Sequence, residues 1–430
     1  MLEHDKPVTR AWVLHPDIKS DQHRRDASQG LAEGVALAAA LPDLEVVGSE
    51  VVRLPRLHPG MLFGSGKIEE LKQRIQASEV ELVLVDGPVS PVQQLNLEKA
   101  WKVKILDRTG LILEIFSDRA RTSEGVLQVE MAALSYQRTR LVRAWTHLER
   151  QRGGLGFVGG PGETQIEADR RAIDEQLNRL RKQLEKVART RELHRSGRAK
   201  VPFPIVALVG YTNAGKSTLF NRLTGADVFA KDMLFATLDP TMRRIEIDQG
   251  DEVILSDTVG FISDLPTELV AAFRATLEEV LDADLIVHVR DISHPQTEEQ
   301  ADDVQTILQS LGVAEEAHMI EVWNKIDLLD DDARSGLTAQ ADRAEAVFAV
   351  SAITGEGVPD LMQAVARTVR EATFDEVLTL GFAEGKARAW LFEAGVVTEE
   401  RATDHGNELH LTWSARQKSQ FEKLRAGSDS

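Results

Sequence analysis

The stretch IVALVGYTNAGKSTLFNRLT, residues 205–224, decides the fold. Five apolar residues read as a buried strand, and STLFNRLTG reads as a helix. Between them lies Gly210-Tyr211-Thr212-Asn213-Ala214-Gly215-Lys216-Ser217-Thr218, the pattern GxxxxGKS in its required strand–loop–helix setting. Backbone N–H groups of such a loop, together with the helix N-terminus, cradle phosphates. Lys216 is placed to reach the β and γ oxygens, and the Ser217 hydroxyl to ligate Mg²⁺.

Downstream segments narrow the ligand. EVILSDTVG runs a strand into Asp257-Thr258-Val259-Gly260, where Asp257 can hold a magnesium-bound water and the Gly260 N–H can meet a γ-phosphate. HMIEVWNKID ends a strand in Asn324-Lys325-Ile326-Asp327. A carboxylate at 327 can accept hydrogen bonds from guanine N1–H and the N2 amine. Adenine offers no donors there, and leaving that carboxylate unpaired costs about 1–3 kcal/mol. AVFAVSA supplies Val350-Ser351-Ala352, whose backbone can meet guanine O6. The order and spacing of the set select GTP over ATP. Between the phosphate loop and Asp257, the run Phe235-Ala236-Thr237-Leu238-Asp239 has the character of a switch. Thr237 is the first choice for the hydroxyl that completes the magnesium shell, and Thr241 the second. Phe261 stands directly after Gly260, where many such enzymes carry a water-orienting Gln. Slow unassisted hydrolysis is therefore expected, as in a timer or switch.

The remainder of the 430 residues allows two to four domains, since single cores rarely exceed about 250–300 residues. With 42% apolar and 28% charged residues the composition is that of an ordinary soluble protein. The absence of cysteine excludes disulfides and thiolate metal sites and points to a reducing, cytoplasmic compartment. The 11 histidines form no HxxxH or HExxH pair, so no zinc site is expected. MLEHDKPVTR lacks an apolar signal region, and no apolar run approaches the roughly 20 residues that span a bilayer, so any membrane contact is expected to be peripheral.

The expected fold class is multidomain α/β. A P-loop domain (201–372) has a mainly parallel sheet with helices on both faces. An α/β subdomain (1–120) and a helical hairpin (121–200) precede it, and a small α+β domain (373–430) follows. AWVLHPDI, LEVVGSEVVRL, ELVLVDG and VKILD read as the N-terminal strands. GSGK at 64–67 fails as a phosphate loop: five residues separate Gly60 from Gly66 instead of four, and Ile68 replaces the magnesium-binding hydroxyl. Leu127, Met131, Leu134, Leu141, Trp145 and Leu148 follow heptad spacing, with Arg138 in the one gap, and Ile173, Leu177, Leu180, Leu184 and Val187 resume it. Thr164-Gln-Ile-Glu167 is expected to start the second helix as a capping box.

RGGLGFVGGPGETQ, 152–165, lies between those helices and contains Gly154, Gly156 and Gly159 as GxGxxG. It follows a helix, where a dinucleotide loop must follow a strand. A flexible tip on a long arm, or else a helix–helix connection, is the alternative reading. The chain carries −18 overall, yet residues 136–200 hold sixteen Lys/Arg against eight Asp/Glu, a net of +8. That island fits either localised contact with a polyanion or a solvated helix face.

Taken together, these residues resemble the HflX family of translational GTPases over nearly the whole chain. The matches are FGSGKIEEL, ILDRTGLILEIFSDRARTSEGVLQVEMAALSYQRTRL, GGLGFVGGPGETQIEADRR, GYTNAGKS, LFATLDPT, DTVGF and NKID. The resemblance implies GTP/GDP and Mg²⁺ as ligands and the large (50S) ribosomal subunit as partner, with the hairpin tip reaching its rRNA. It implies GTP-dependent splitting or rescue of stalled ribosomes, hydrolysis stimulated by large subunits, and a residue other than Gln at 261. On that reading Arg143, Arg150, Arg152, Gly154, Gly156, Gly159, Gly160, Gly162, Arg170 and Arg171 are RNA-contact candidates. A monomer is expected, without DNA or integral membrane association. The alternative is a GTP-switched adaptor that docks a non-ribosomal protein through the hairpin.

Overall fold

The computed structural model describes residues 8–20, 26–151, 161–198, 203–226, 234–235, 241–247, 252–263, 280–281, 283–313, 317–369, 373–382, 384–403 and 406–426. The chain divides into two compact units, Met1–Met362 and Gln363–Ser430.

The first unit begins with β1 (Thr9–Ile18), α1 (Ala27–Ala39), β2 (Leu44–Leu54), α2 (Ser65–Ala77), β3 (Leu82–Val85), α3 (Pro91–Trp101), β4 (Lys104–Asp107) and α4 (Arg108–Arg119). The four strands form a parallel sheet in the order β2-β1-β3-β4. Local chemistry starts its helices. Asp26 accepts the N–H groups of Ser28 and Gln29 at 3.0 Å, and Ser90 and Gln93 form a capping box ahead of Pro91. Asp107 accepts the Gly110 N–H at 2.9 Å. GSGK opens α2, with Gly64 at its cap. Lys67 is held there by Glu50 and Glu70, which leaves its ammonium committed to carboxylates. The core beneath contains Trp101 stacked on Phe63 at 6.1 Å, and the indole N–H donates to Ile68 O.

Two long helices follow, α5 (Ser123–Gln151) and α6 (Pro161–Arg198), packed on each other. At 1.5 Å per residue they extend about 43 and 57 Å. Leu177 and Leu180 are buried on the seam side. Arg138, the one break in the heptad pattern, pairs with Asp174 across the hairpin at 2.7 Å. The expected capping box is corrected: α6 starts at Pro161, so Thr164 lies inside the first turn. Proline suits that first turn because its missing N–H would have no helical partner.

The central sheet comprises β5 (Ile205–Val209), α7 (Lys216–Thr224), β6 (Thr241–Glu246), β7 (Glu252–Asp257), β8 (Leu285–Asp291), α8 (Thr297–Leu311), β9 (Met319–Asn324), α9 (Asp331–Ala341), β10 (Val347–Ala349) and α10 (Val358–Val369). Its order is β10-β9-β8-β5-β7-β6, parallel except where β6 runs against β7. Val206 to Val209 and Leu285 to Val289 are buried continuously, as both-face coverage of a parallel strand demands. One apolar core joins this sheet to the first: Ala11, Leu37, Ile112 and Phe116 share it with Val209, Tyr211, Val259 and Phe261.

The second unit contains β11 (Thr373–Leu380), α11 (Gly385–Glu393), β12 (Val397–Thr403), β13 (Gly406–Ser414) and α12 (Ala415–Ala426). Its strands form an antiparallel sheet, β11-β13-β12, over a small core of Leu391, Leu409, Trp413 and Phe421. Among the described residues, no helix is long and apolar enough to cross a membrane.

His288 lies inside β8, where burial pushes its imidazole down to about 4, Glu321 opposing and Arg290 and Lys216 assisting. The unfolded chain takes up that proton near pH 6.5, so this contribution is intact above 6.5 and lost as pH falls toward 4. His288→Gln is expected to flatten the acid limb of unfolding free energy by up to about 3 kcal/mol between pH 7 and 4. Urea titrations across that range, compared with the parent protein, measure it, and parallel limbs would refute it.

Candidate functional site: a nucleotide cleft at the strand ends

The C-terminal ends of β5, β7, β8 and β9 converge, and each delivers one part of a site. After β5 the chain turns through Gly210–Gly215 into α7. Gly215 adopts φ +94°, and a Cβ there would stand 2.1 Å from the Asn324 Nδ2, so only glycine fits. Lys216 is the first residue of α7 and is buried; its ammonium donates to Gly210 O at 3.1 Å and Tyr211 O at 2.9 Å. Burial lowers this ammonium to about 8, with Asp257 acting in the opposite sense. A polyanion beside it would restore the charged form.

Next along the helix, Ser217 Oγ donates to Asp257 Oδ2 at 2.7 Å. A hydroxyl and a buried carboxylate in contact are a hard-oxygen pair that would suit Mg²⁺. Thr258, expected in the γ-phosphate segment, instead turns its hydroxyl to Leu208 O at 2.6 Å. Val259 is buried. Gly260 lies so close to the phosphate loop that a Cβ would meet Thr212 Cα at 2.9 Å and Lys216 Nζ at 3.0 Å. Phe261 then latches the two segments: its N–H donates to Gly210 O at 3.1 Å and its carbonyl accepts from Thr212 at 2.7 Å. Its ring is 1% exposed, so it has neither the chemistry nor the access to orient an attacking water.

The candidate base-recognition residues also adjoin the loop. Asn324 donates to Ala214 O at 2.8 Å and accepts the Ala352 N–H at 2.9 Å, tying β9, the phosphate loop and the segment after β10 together. The Ala352 N–H, expected to face guanine O6, is thus held by Asn324. Lys325 has φ +69° and pairs with Asp291 at 2.7 Å. Ile326, Val350 and Ser351 are buried; Ser351 Oγ accepts the Thr354 N–H at 3.0 Å. Asp327 is half-buried, and its Oδ1 has no hydrogen-bond partner among the described residues. An orphaned carboxylate oxygen fits the two donors on guanine and cannot be satisfied by adenine.

Phe235, expected in the switch run, is buried. Its ring is 2% exposed and packs edge-on against Phe116 at 4.6 Å. Thr241 begins β6, paired with Asp257, while Ala236, Thr237, Leu238 and Asp239 lie outside the described residues. Sequence reasoning missed Arg222, which reaches from α7 to Ala352 O at 2.6 Å and to Ile353 O. A basic residue late in a helix carries no mark of that partner. It also missed the role of Tyr211, an unspecified position of the motif. Its hydroxyl donates to Glu33 at 2.8 Å and accepts the Ser263 N–H at 2.9 Å. Burial, and next Glu33, raise the phenol well above its ordinary value, so it remains a donor.

A strand–loop–helix with buried lysine, a serine–aspartate pair, a glycine latched to the loop and an NKxD carboxylate define a P-loop GTPase. Comparison with known proteins agrees domain by domain. Residues 28–117 match the family "GTP-binding GTPase N-terminal" and 119–198 "GTP-binding GTPase Middle Region". Residues 205–325 match "50S ribosome-binding GTPase" and 336–429 "HflX C-terminal domain". The chain is 50% identical over 401 residues to GTPase HflX of Magnetococcus marinus, covering 93% of this chain and 91% of that one. It is 42% identical over 399 residues to GTPase HflX of Escherichia coli, covering 93% and 92%. The chain belongs to the HflX family of GTPases. Its substrate is GTP, its product GDP, and Mg²⁺ supplies charge neutralisation at the phosphates.

Asp327→Asn is expected to weaken GTP binding about 5- to 150-fold and to favour xanthosine triphosphate. Equilibrium titration with both nucleotides checks this, and unchanged GTP affinity would remove Asp327 from base recognition.

Proposed function

We propose that this GTPase binds the large ribosomal subunit and, loaded with GTP, splits or rescues stalled ribosomes. The supporting observation is a "50S ribosome-binding GTPase" domain joined to a long two-helix arm with a basic surface. Along α6, Arg170, Arg171, Arg179, Arg181, Lys182 and Lys186 are exposed, and Arg171 spends part of its charge on Glu167 at 3.6 Å. Clustered cations on a rod suit RNA phosphates, whose condensed counterions they release. Arg143 and Arg150 lie on α5, and Gly162 on the first turn of α6. Arg152, Gly154, Gly156, Gly159 and Gly160 lie outside the described residues. We assign the tip to close backbone approach to rRNA, where glycine leaves room. The four-part domain division given above and the magnesium role of Thr237 belong to the same reading. So do action in the cytoplasm and a monomeric state.

In the hydrolytic step, Lys216 and the loop N–H groups bind and orient the phosphates. Phe261, the residue directly after Gly260, cannot position the nucleophile, so the intrinsic rate is low and the ribosome supplies order or a group. Steady-state GTP hydrolysis is expected to be slow for the protein alone and strongly accelerated by large subunits, the acceleration being absent in Lys216→Ala. Hydrolysis indifferent to ribosomes would overturn the proposal. Reversing the charges of Arg143, Arg150 and Arg152 is expected to abolish co-sedimentation with large subunits and to flatten its salt dependence. Unchanged pelleting would exclude RNA contact through this arm and favour a protein adaptor.

A further inference from the structure

Two consecutive residues at the β4–α4 junction face opposite ways in the network. Arg108 faces the nucleotide site. Its side chain is 7% exposed and pairs with Asp86 at 2.5 Å and Glu33 at 2.9 Å. It also donates to Ser263 O at 3.0 Å, three residues beyond Gly260. Glu33 in turn accepts from Tyr211 of the phosphate loop, and the Tyr211 hydroxyl meets both the backbone and the side chain of Ser263. Farther along α4, Phe116 packs on Phe235 of the other switch. One helix therefore touches both nucleotide-responsive segments.

Asp107 faces the arm. Its Oδ1 accepts the Tyr136 hydroxyl at 2.5 Å, and its Oδ2 accepts Arg140 at 2.9 Å. Arg140 also contacts Tyr136 and Gln94 of α3. Tyr136 and Arg140 lie one turn apart on α5. Burial, followed by the Asp107 charge, holds the Tyr136 phenol above its ordinary value, so it keeps the proton it donates.

We propose that Asp107 and Arg108 are positioning residues that couple the nucleotide state to the attitude of the hairpin arm. The γ-phosphate acts on the phosphate loop and the Gly260 N–H together, and Ser263 follows the loop because Phe261 is bound to it on both its backbone groups and the Tyr211 hydroxyl accepts the Ser263 N–H. A displaced Ser263 carbonyl must either break its bond to a buried guanidinium or carry Arg108 with it. Leaving that donor unpaired is costly, so β4–α4 moves and takes Asp107 along. The middle of α5 is fixed to Asp107 by two hydrogen bonds, and a small rotation there is multiplied along the roughly 22 Å of helix from Tyr136 to Gln151. The first link rests on the GTPase assignment alone; only the consequence for the ribosome rests on the proposed function.

The test is hydrogen–deuterium exchange over residues 127–140 of the full chain, loaded with Mg²⁺ and either GDP or a non-hydrolysable GTP analogue. The two states of the parent protein are expected to differ about fivefold in exchange rate over this segment, a typical coupling between sites. Arg108→Lys keeps the buried charge but loses the planar fork that reaches Ser263. Tyr136→Phe removes a single hydroxyl and preserves packing. Both variants are expected to bring the difference below about twofold while GDP affinity is retained. A nucleotide effect that is absent from the parent, or that persists undiminished in both variants, overturns the coupling. With large subunits added, Tyr136→Phe is expected to lose stimulation of kcat while KM for GTP holds. If the parent itself is not stimulated, the ribosomal reading falls, and the exchange experiment still decides the coupling.

Discussion

A buried ammonium is the constraint on which the site depends. Lys216 has exchanged water for two loop carbonyls and the field of Asp257, and its lowered pKa records the cost of that exchange. Such a group is retained because a polyphosphate repays the desolvation when it binds. Every neighbour is arranged around that need. The loop must curl so that carbonyls point inward, which requires a positive φ at Gly215. The segment after β7 must approach within contact of the ammonium, which requires a glycine at 260. Asn324 must brace the loop from behind, and the space it occupies is what forbids a side chain at 215.

The same bracing explains why two sheets share one core. Tyr211 cannot be buried without partners for its hydroxyl, and those partners are Glu33 and Ser263. Glu33 is half-buried and pairs with Arg108, with Asp86 balancing the second half of the guanidinium. His15 completes the chain on Asp86 at 2.8 Å. The Tyr211–Glu33 and Arg108–Ser263 bonds cross between the phosphate-loop side and the N-terminal sheet, and the Glu33–Arg108 pair links them, so the two sides are constrained to fold in register with each other.

Much of this was legible in the residues. GxxxxGKS, DxxG and NKxD carry their chemistry at fixed spacing, because each needs a particular backbone turn at the end of a strand. Heptad spacing gave the two long helices. The start of α6 is not legible in the same way, because Thr164 and Glu167 have the right types at the right spacing while Pro161 begins the helix earlier. That the Phe235 ring packs edge-on against Phe116 is not written in the run around it. Arg222 gave no signal at all, since its partners are backbone carbonyls about 130 residues away.

The sequence by itself determined the P-loop domain, the guanine preference and the missing water-positioning residue, since those are properties of side chains and local turns. Only the tertiary structure decided that Tyr211 belongs as much to the N-terminal sheet as to the phosphate loop. It alone showed that Asp107 and Arg108 reach opposite neighbours. The physical reason is range: a turn or a periodic face is encoded within a few residues. The partner of a buried charge is chosen by whichever distant segment the packed core brings within 3 Å.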